Sequence, residues 1–196
     1  MKQDKNELVE LVTINSSIRL DIRYATTNNF TGKIVYPSAR CYLRTEVAHA
    51  LAAVAKELEP LGLGIKVFDG YRPLEVQKKF WDLLSERWPD ETERALYVAN
   101  PNAAPRHCRG TAVDLTLIHL GTGAELEMPS DYDEFSEQAL RQYPSMHSDE
   151  IRKNCKMLEL IMEKHNFEPQ PTEWWHFDYH GWQQYAVLDV TFDELL

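Results

Sequence analysis

Three separated segments of the sequence each place ionisable side chains inside or beside an apolar run. The side chains are His107 and Asp114 in PRHCRGTAVDL, Glu173 and His176 in TEWWHFDY, and Asp69 and Arg72 in FDGYRP. Polar groups buried in an apolar setting need hydrogen-bond or charge partners. These segments therefore contain the candidates for a functional site.

The types of these side chains suit a catalytic zinc ion, which takes three nitrogen or oxygen ligands and leaves a fourth position for water. His107, Asp114 and His176 would supply such a ligand set. Glu173, close in the sequence to one ligand, would take a proton from the water. Arg72 carries a fixed charge and would stabilise the oxyanion of a tetrahedral intermediate.

Spacing alone leaves other interpretations open. Asp114 could form a salt bridge with Arg109 or Arg72, and Arg72 could pair with Asp69 in a purely structural role. Residues three apart on a regular strand point to opposite faces. Glu173 and His176 can therefore act together only at a bulge, a twist or the end of a strand.

The elements that must position these residues follow from hydrophobic periodicity and turn residues. The sequence predicts strands over residues 18–24, 64–70, 111–120, 172–182 and 186–190, and helices over residues 45–59, 73–88, 91–98 and 149–165. Strands and helices do not alternate in a βαβ rhythm, which favours an α+β class. We expect a central, mainly antiparallel sheet flanked by helices, with the zinc site on the sheet.

Composition limits the classes of partner. The chain of 196 residues is expected to form one domain over residues 1–196. Its formal charge of -10 argues against binding to nucleic acid, which requires clustered Lys and Arg. Three widely spaced cysteines fit a reducing compartment. No leader and no apolar run of about 20 residues is apparent, so we expect a cytoplasmic protein without a membrane span, or a periplasmic one if a leader has been removed.

Four motifs resemble those of one enzyme family. PRHCRGTAVD is similar to the signature SxHxxGxAxD and EWWH to ExWH, and YATTNNFTG and DGYRP occur in the same order. These are motifs of the zinc D-alanyl-D-alanine dipeptidases, including those of vancomycin resistance, and of the related D,D-carboxypeptidases. The resemblance extends from about residue 24 to residue 176.

The resemblance implies a role for each matching residue. It implies one zinc ion per chain bound by His107, Asp114 and His176, with Glu173 as general base and then acid and Arg72 as the transition-state stabiliser. Tyr24 and Asp133 match the residues that lie near the substrate's ammonium group. The family serine two residues before the first zinc ligand is Pro105 here, which has no hydroxyl. We expect Arg106 to bind the substrate's carboxylate instead.

The expected activity is hydrolysis of D-alanyl-D-alanine or a similar small dipeptide. Two alternatives remain: a zinc D,D-carboxypeptidase that acts on longer cell-wall peptides, and a zinc module that binds a partner without catalysis. The other histidines are expected at the surface or satisfied in the core: His49, His119, His147, His165 and His180.

Overall fold

The computed structural model describes residues 8–143 and 148–195; His147 lies outside these ranges. Within them the strands are β1 (Leu8–Glu10), β2 (Arg19–Leu20), β3 (Tyr42–Arg44), β4 (Leu63–Asp69), β5 (Ala112–His119), β6 (Phe167–Pro169) and β7 (His176–Tyr179). The helices are α1 (Leu11–Ile14), α2 (Thr45–Leu58), α3 (Leu74–Leu83), α4 (Glu91–Arg94), α5 (Asp149–Lys164) and α6 (Phe192–Leu195).

A five-stranded sheet of order β2-β4-β5-β7-β6 forms the centre of the fold, and β1 and β3 form a separate pair. Only β2 and β4 are parallel, and the other three pairs of the large sheet are antiparallel. The predicted α+β class with a mainly antiparallel central sheet is confirmed. No helix in the described parts of the chain is long and apolar enough to cross a membrane.

The two central strands are buried on both faces. Six of the seven residues of β4 and seven of the eight of β5 are buried, which is the pattern of strands covered on both sides. Helix α2 contacts β4, α5 contacts β5, and the two helices contact each other, so they cover the sheet together. The predicted apolar stripe of α2 is buried; its members are Val47, Leu51, Val54 and Leu58.

The register of the central strands places three ionisable residues in one row. Asp69 on β4 pairs with Asp114 on β5, and Asp114 pairs with His176 on β7. The register shifts between Val67 and Asp69, so Phe68 is the extra residue of a bulge. This shift aligns Asp69 with Asp114 directly across the strand pair.

Several predicted boundaries are wrong, and hydrogen bonding explains the clearest case. Residues 186–190 do not form a strand. Leu188 donates its backbone N–H to the Cys108 carbonyl, and the Tyr71 hydroxyl donates to Val190 O and accepts from Val190 N. These backbone groups make their hydrogen bonds with the turn at Cys108 and with the Tyr71 hydroxyl. They therefore do not require a neighbouring strand.

The other corrections concern length. The first predicted strand is reduced to β2, the Trp-rich strand begins only at His176, α3 ends at Leu83, and α4 is a single turn. The short strands β1, β3 and β6 were not predicted, because three residues are too few to establish a periodicity of two.

The turn between β4 and α3 depends on Gly70. A Cβ atom at this position would lie 2.6 Å from Cys41 Sγ and 3.0 Å from Tyr42 O. We predict that Gly70→Ala lowers the free energy of unfolding by about 1–3 kcal/mol, the usual cost of overpacking. Chemical denaturation would measure this loss.

Gly121→Ala is the matched control, because nothing lies within 4 Å of an added Cβ there. It should change the unfolding free energy by no more than about 0.5 kcal/mol. A Gly70→Ala protein as stable as this control would contradict the close approach of Cys41 and Tyr42.

Candidate metal centre and active site

Three of the predicted residues meet at one point on the sheet. Asp114 lies within β5, His176 is the first residue of β7, and His107 lies in a short 3-10 turn before β5. All three side chains are buried. Within the described residues they form a cluster whose ligand atoms all lie within 4.8 Å of one another.

The distances within this cluster fit a tetrahedral zinc ion. Asp114 Oδ1 lies 2.9 Å from His176 Nδ1 and 3.4 Å from His107 Nε2, and the two ring nitrogens are 3.2 Å apart. Ligands bound to zinc at 2.0–2.2 Å in tetrahedral geometry stand about 3.3 Å apart. The three donors therefore match the size and the chemistry of a zinc site with one position open.

The two histidines present opposite ring nitrogens to the cluster. His107 Nδ1 lies 2.7 Å from Gly70 O, which can only accept a hydrogen bond, so Nε2 is the nitrogen with a free lone pair. His176 instead presents Nδ1, and its Nε2 lies 3.1 Å from Asp178 Oδ1. Both rings are thus oriented by an acceptor behind them, as is usual for metal-binding histidines.

The electrostatic environment favours positive charge at this point. Burial lowers the pKa of His176, but the carboxylates of Asp178 and Asp114 outweigh it and raise that pKa to about 10. Burial raises the pKa of Asp114, but His107 and His176 hold it well below its usual range. Tyr132 donates its hydroxyl to Asp114 Oδ2 at 3.0 Å, which leaves Oδ1 for the cluster.

Glu173 reaches the cluster from a turn before β7. His176 N donates to Glu173 O at 3.3 Å, and Glu173 Oε2 lies 3.7 Å from His176 Nδ1. The requirement for a strand end is met, because Glu173 precedes the regular strand. Burial, followed by the effect of Asp114, raises the pKa of Glu173 to about 7 against the opposing effect of His176. This value suits a group that both accepts and returns a proton near neutral pH.

Arg72 is held in place by its neighbours and also faces the site. Its Nε and Nη2 donate to Asp69 Oδ2 at 3.0 and 2.7 Å, and Nη1 donates to Gln77 Oε1 at 2.9 Å. The guanidinium carbon lies 5.3 Å from the Tyr24 ring and 5.0 Å from the Phe80 ring. Arg72 therefore forms the structural ion pair with Asp69 and also lines the cavity.

The structure brings together the two residues predicted near an ammonium group. The Tyr24 hydroxyl donates to Asp133 Oδ2 at 2.7 Å. Asp133 has a positive φ of 60°, a conformation that Asp adopts more readily than most residues. Loss of solvent, together with Asp114, raises the pKa of Asp133 well above its usual value.

A cavity of about 320 Å³ joins these groups. Its polar wall contains Arg72, His107, Asp114, Asp133, Glu173 and His176, and aromatic side chains form much of the rest. Pro105 and Arg106 also line it. The Arg106 guanidinium, however, makes an ion pair with Asp178, with Nε 3.1 Å from Oδ2.

Sequence reasoning missed Asp178 and Tyr132. Asp178 could have been found, because a residue two positions after His176 lies on the same face of a strand. Tyr132 lies in a loop without periodicity, and nothing in the sequence indicates that its hydroxyl reaches Asp114.

Two histidines and an aspartate that could hold a metal ion, with a glutamate beside them, are groups that a zinc metallopeptidase uses. The chain belongs to the Peptidase M15 family of D-ala-D-ala dipeptidases, whose sequence profile matches residues 4–193. The family resemblance seen in the motifs is confirmed.

The chain is 33% identical over 185 residues to a D-alanyl-D-alanine dipeptidase of Escherichia coli, covering 94% of this chain and 91% of that protein. It is 34% identical over 172 residues to one of Enterococcus faecalis, covering 82% and 85%. A vancomycin resistance D,D-pentapeptidase, VanY, solved in complex with Zn(II), has 17% identity and a TM-score of 0.47, covering 76% of this chain and 79% of that one.

Substitution of Asp114 tests whether the cluster binds zinc. Asp114→Asn keeps the volume of the side chain but removes its charge. If Asp114 is a ligand, zinc affinity should fall by more than the 10- to 100-fold that is typical of outer-shell partners. Competition with a chromogenic chelator after removal and readdition of zinc would measure the change.

Asp131→Asn is the matched control, since Asp131 is an exposed carboxylate outside the cluster. It should bind zinc as the unaltered protein does. Equal zinc affinity in the Asp114→Asn protein would exclude Asp114 as a ligand.

Proposed function

We propose that this chain hydrolyses D-alanyl-D-alanine or a similar small dipeptide with one zinc ion held by His107, Asp114 and His176. The observation that carries the proposal is the set of three donor atoms 2.9–3.4 Å apart beside Glu173 in one cavity. Membership of the dipeptidase family supports the choice of substrate. We propose a single catalytic domain over residues 1–196.

Glu173 is the proton carrier of the proposed reaction. A zinc ion bound at the cluster would polarise the scissile carbonyl and make water more acidic. Glu173 accepts the proton of the attacking water and then gives it to the departing amine. Its side chain is 24% exposed, so it is open to the cavity yet largely removed from solvent.

Arg72 stabilises the negative charge that develops on the carbonyl oxygen. Three of its five N–H donors are used by Asp69 and Gln77. These bonds fix the plane of the guanidinium before the reaction begins. A preorganised charge of this kind costs no reorganisation when the transition state forms.

Asp133 and Tyr24 bind the ammonium group of the substrate in this proposal. The Asp133 carboxylate accepts a hydrogen bond from Tyr24 and lines the same cavity as Glu173. A longer peptide carries an amide in place of the ammonium and would leave Asp133 without its counter-charge. This requirement favours a free dipeptide over the longer peptides of a D,D-carboxypeptidase.

Glu173→Gln tests the role of the base. We expect kcat for D-alanyl-D-alanine to fall by about 10²- to 10⁴-fold, the usual contribution of general base catalysis, while zinc remains bound. Release of D-alanine and metal analysis on the same samples would measure both properties.

Glu125→Gln is the control, because Glu125 pairs with Lys66 outside the cavity. It should leave kcat unchanged. An unaltered protein that binds zinc but releases no D-alanine would overturn the proposed activity and favour a binding module. A panel of D,D-, L,D- and L,L-dipeptides would then define the substrate.

Asp133→Asn tests the ammonium site. Asn tolerates the positive φ of this position, so the loop should keep its conformation. Loss of a hydrogen bond to a charged group costs about 1.5–3 kcal/mol, so kcat/KM for D-alanyl-D-alanine should fall roughly 10- to 150-fold.

The same comparison with N-acetyl-D-alanyl-D-alanine provides the control, since this compound lacks the ammonium. The unaltered and Asp133→Asn proteins should then show similar, low kcat/KM values. A similar fold decrease in kcat/KM for both substrates would show that Asp133 does not recognise the ammonium.

A further inference from the structure

A buried carboxylate lies directly behind one of the cluster histidines. Asp178 is two residues after His176 on β7 and is only 5% exposed. Its Oδ1 lies 3.1 Å from His176 Nε2, the ring nitrogen that faces away from Asp114 and His107. The imidazole ring therefore lies between the cluster and Asp178.

The second oxygen of Asp178 is paired with a cation. Arg106 Nε lies 3.1 Å from Asp178 Oδ2. The contact is an ion pair without a directed hydrogen bond from Nε. The guanidinium carbon of Arg106 lies 4.6 Å from the centroid of the Trp182 ring, within the range of a cation–π contact. The carboxylate and the arginine are thus each held on two sides.

We propose that Asp178 is a positioning residue for the metal centre, which accepts the Nε2 hydrogen of His176 and is itself held by Arg106 against Trp182. This arrangement fixes the tautomer of His176 and the direction of its Nδ1 lone pair. An anionic acceptor also makes the imidazole a stronger ligand than a neutral one does. The inference rests on the proposed zinc site.

The arrangement assigns Arg106 a role distinct from the one predicted from the sequence. Binding of the substrate's carboxylate would require its donors to face the ligand, whereas the structure pairs its Nε side with Asp178. The two roles have different effects on KM and on zinc affinity. Loss of a substrate contact raises KM and leaves zinc affinity intact, whereas loss of the positioning contact weakens zinc binding.

Zinc affinity of four proteins tests the proposal: the unaltered chain, Asp178→Asn, Arg106→Gln and Glu168→Gln. Glu168 is the matched control, because it lies opposite Asp178 on β6 but is exposed and pairs with His180. We expect Asp178→Asn to lower zinc affinity by about 10- to 100-fold, as for other outer-shell partners. Arg106→Gln should give a smaller loss, and Glu168→Gln none.

Cobalt substitution provides a second readout that does not depend on activity. The visible absorption of bound Co(II) reports the geometry and donor strength of its ligands. Its band should shift in Asp178→Asn and Arg106→Gln and remain unchanged in Glu168→Gln. Circular dichroism of each metal-free protein establishes that a lost affinity does not reflect unfolding.

The outcomes separate this inference from the proposed function. Absence of zinc binding by the unaltered chain would overturn both. Normal zinc affinity and an unchanged cobalt spectrum in Asp178→Asn would overturn only the role of Asp178. Should Asp178→Asn not fold, Arg106→Gln decides, since the Arg106 side chain is 35% exposed and tolerates substitution. A rise in KM alone for that variant would assign Arg106 to the substrate and overturn the proposal.

Discussion

The register of three neighbouring strands is the constraint on which the whole site depends. Asp69, Asp114 and His176 face one another across β4, β5 and β7. A bulge at Phe68 aligns Asp69 with Asp114, and the regular pairing of β5 with β7 aligns Asp114 with His176. A slip of one residue in β5 would turn Asp114 to the opposite face of the sheet. The long buried runs of β4 and β5 set this register, so the hydrophobic core also fixes the positions of the clustered side chains.

The buried carboxylates around this row are tolerated because each has a partner of its own. Arg72 pairs with Asp69 at one end, and Arg106 pairs with Asp178 at the other. Buried ions without partners cost several kcal/mol each. Between the two ends, Asp114 faces two imidazoles, and within residues 8–143 and 148–195 no Lys or Arg forms an ion pair with it. The middle of the row is therefore where the fold favours a cation.

The sequence predicts the parts of this arrangement that follow from periodicity or from a local motif. Helix α2 and strands β4 and β5 appear as repeats of apolar residues, and the motifs around Asp114 and His176 indicate the metal cluster. Contacts made by side chains across the fold leave no such pattern. The hydroxyl of Tyr71 satisfies residues 188–190 from more than a hundred positions away, so a segment with strand composition remains outside the sheet.

The two cluster histidines differ in how far a substitution at a neighbouring residue can change the orientation of the imidazole ring. His107 is oriented by the backbone carbonyl of Gly70, an acceptor that every residue type would retain. His176 is oriented by the side chain of Asp178, whose charge depends on Arg106 beside it. The orientation of His107 is thus fixed by the main chain, and that of His176 depends on side chains. Differences in metal affinity among related sequences should therefore follow the residues at the positions of Asp178 and Arg106, while the geometry around His107 stays constant.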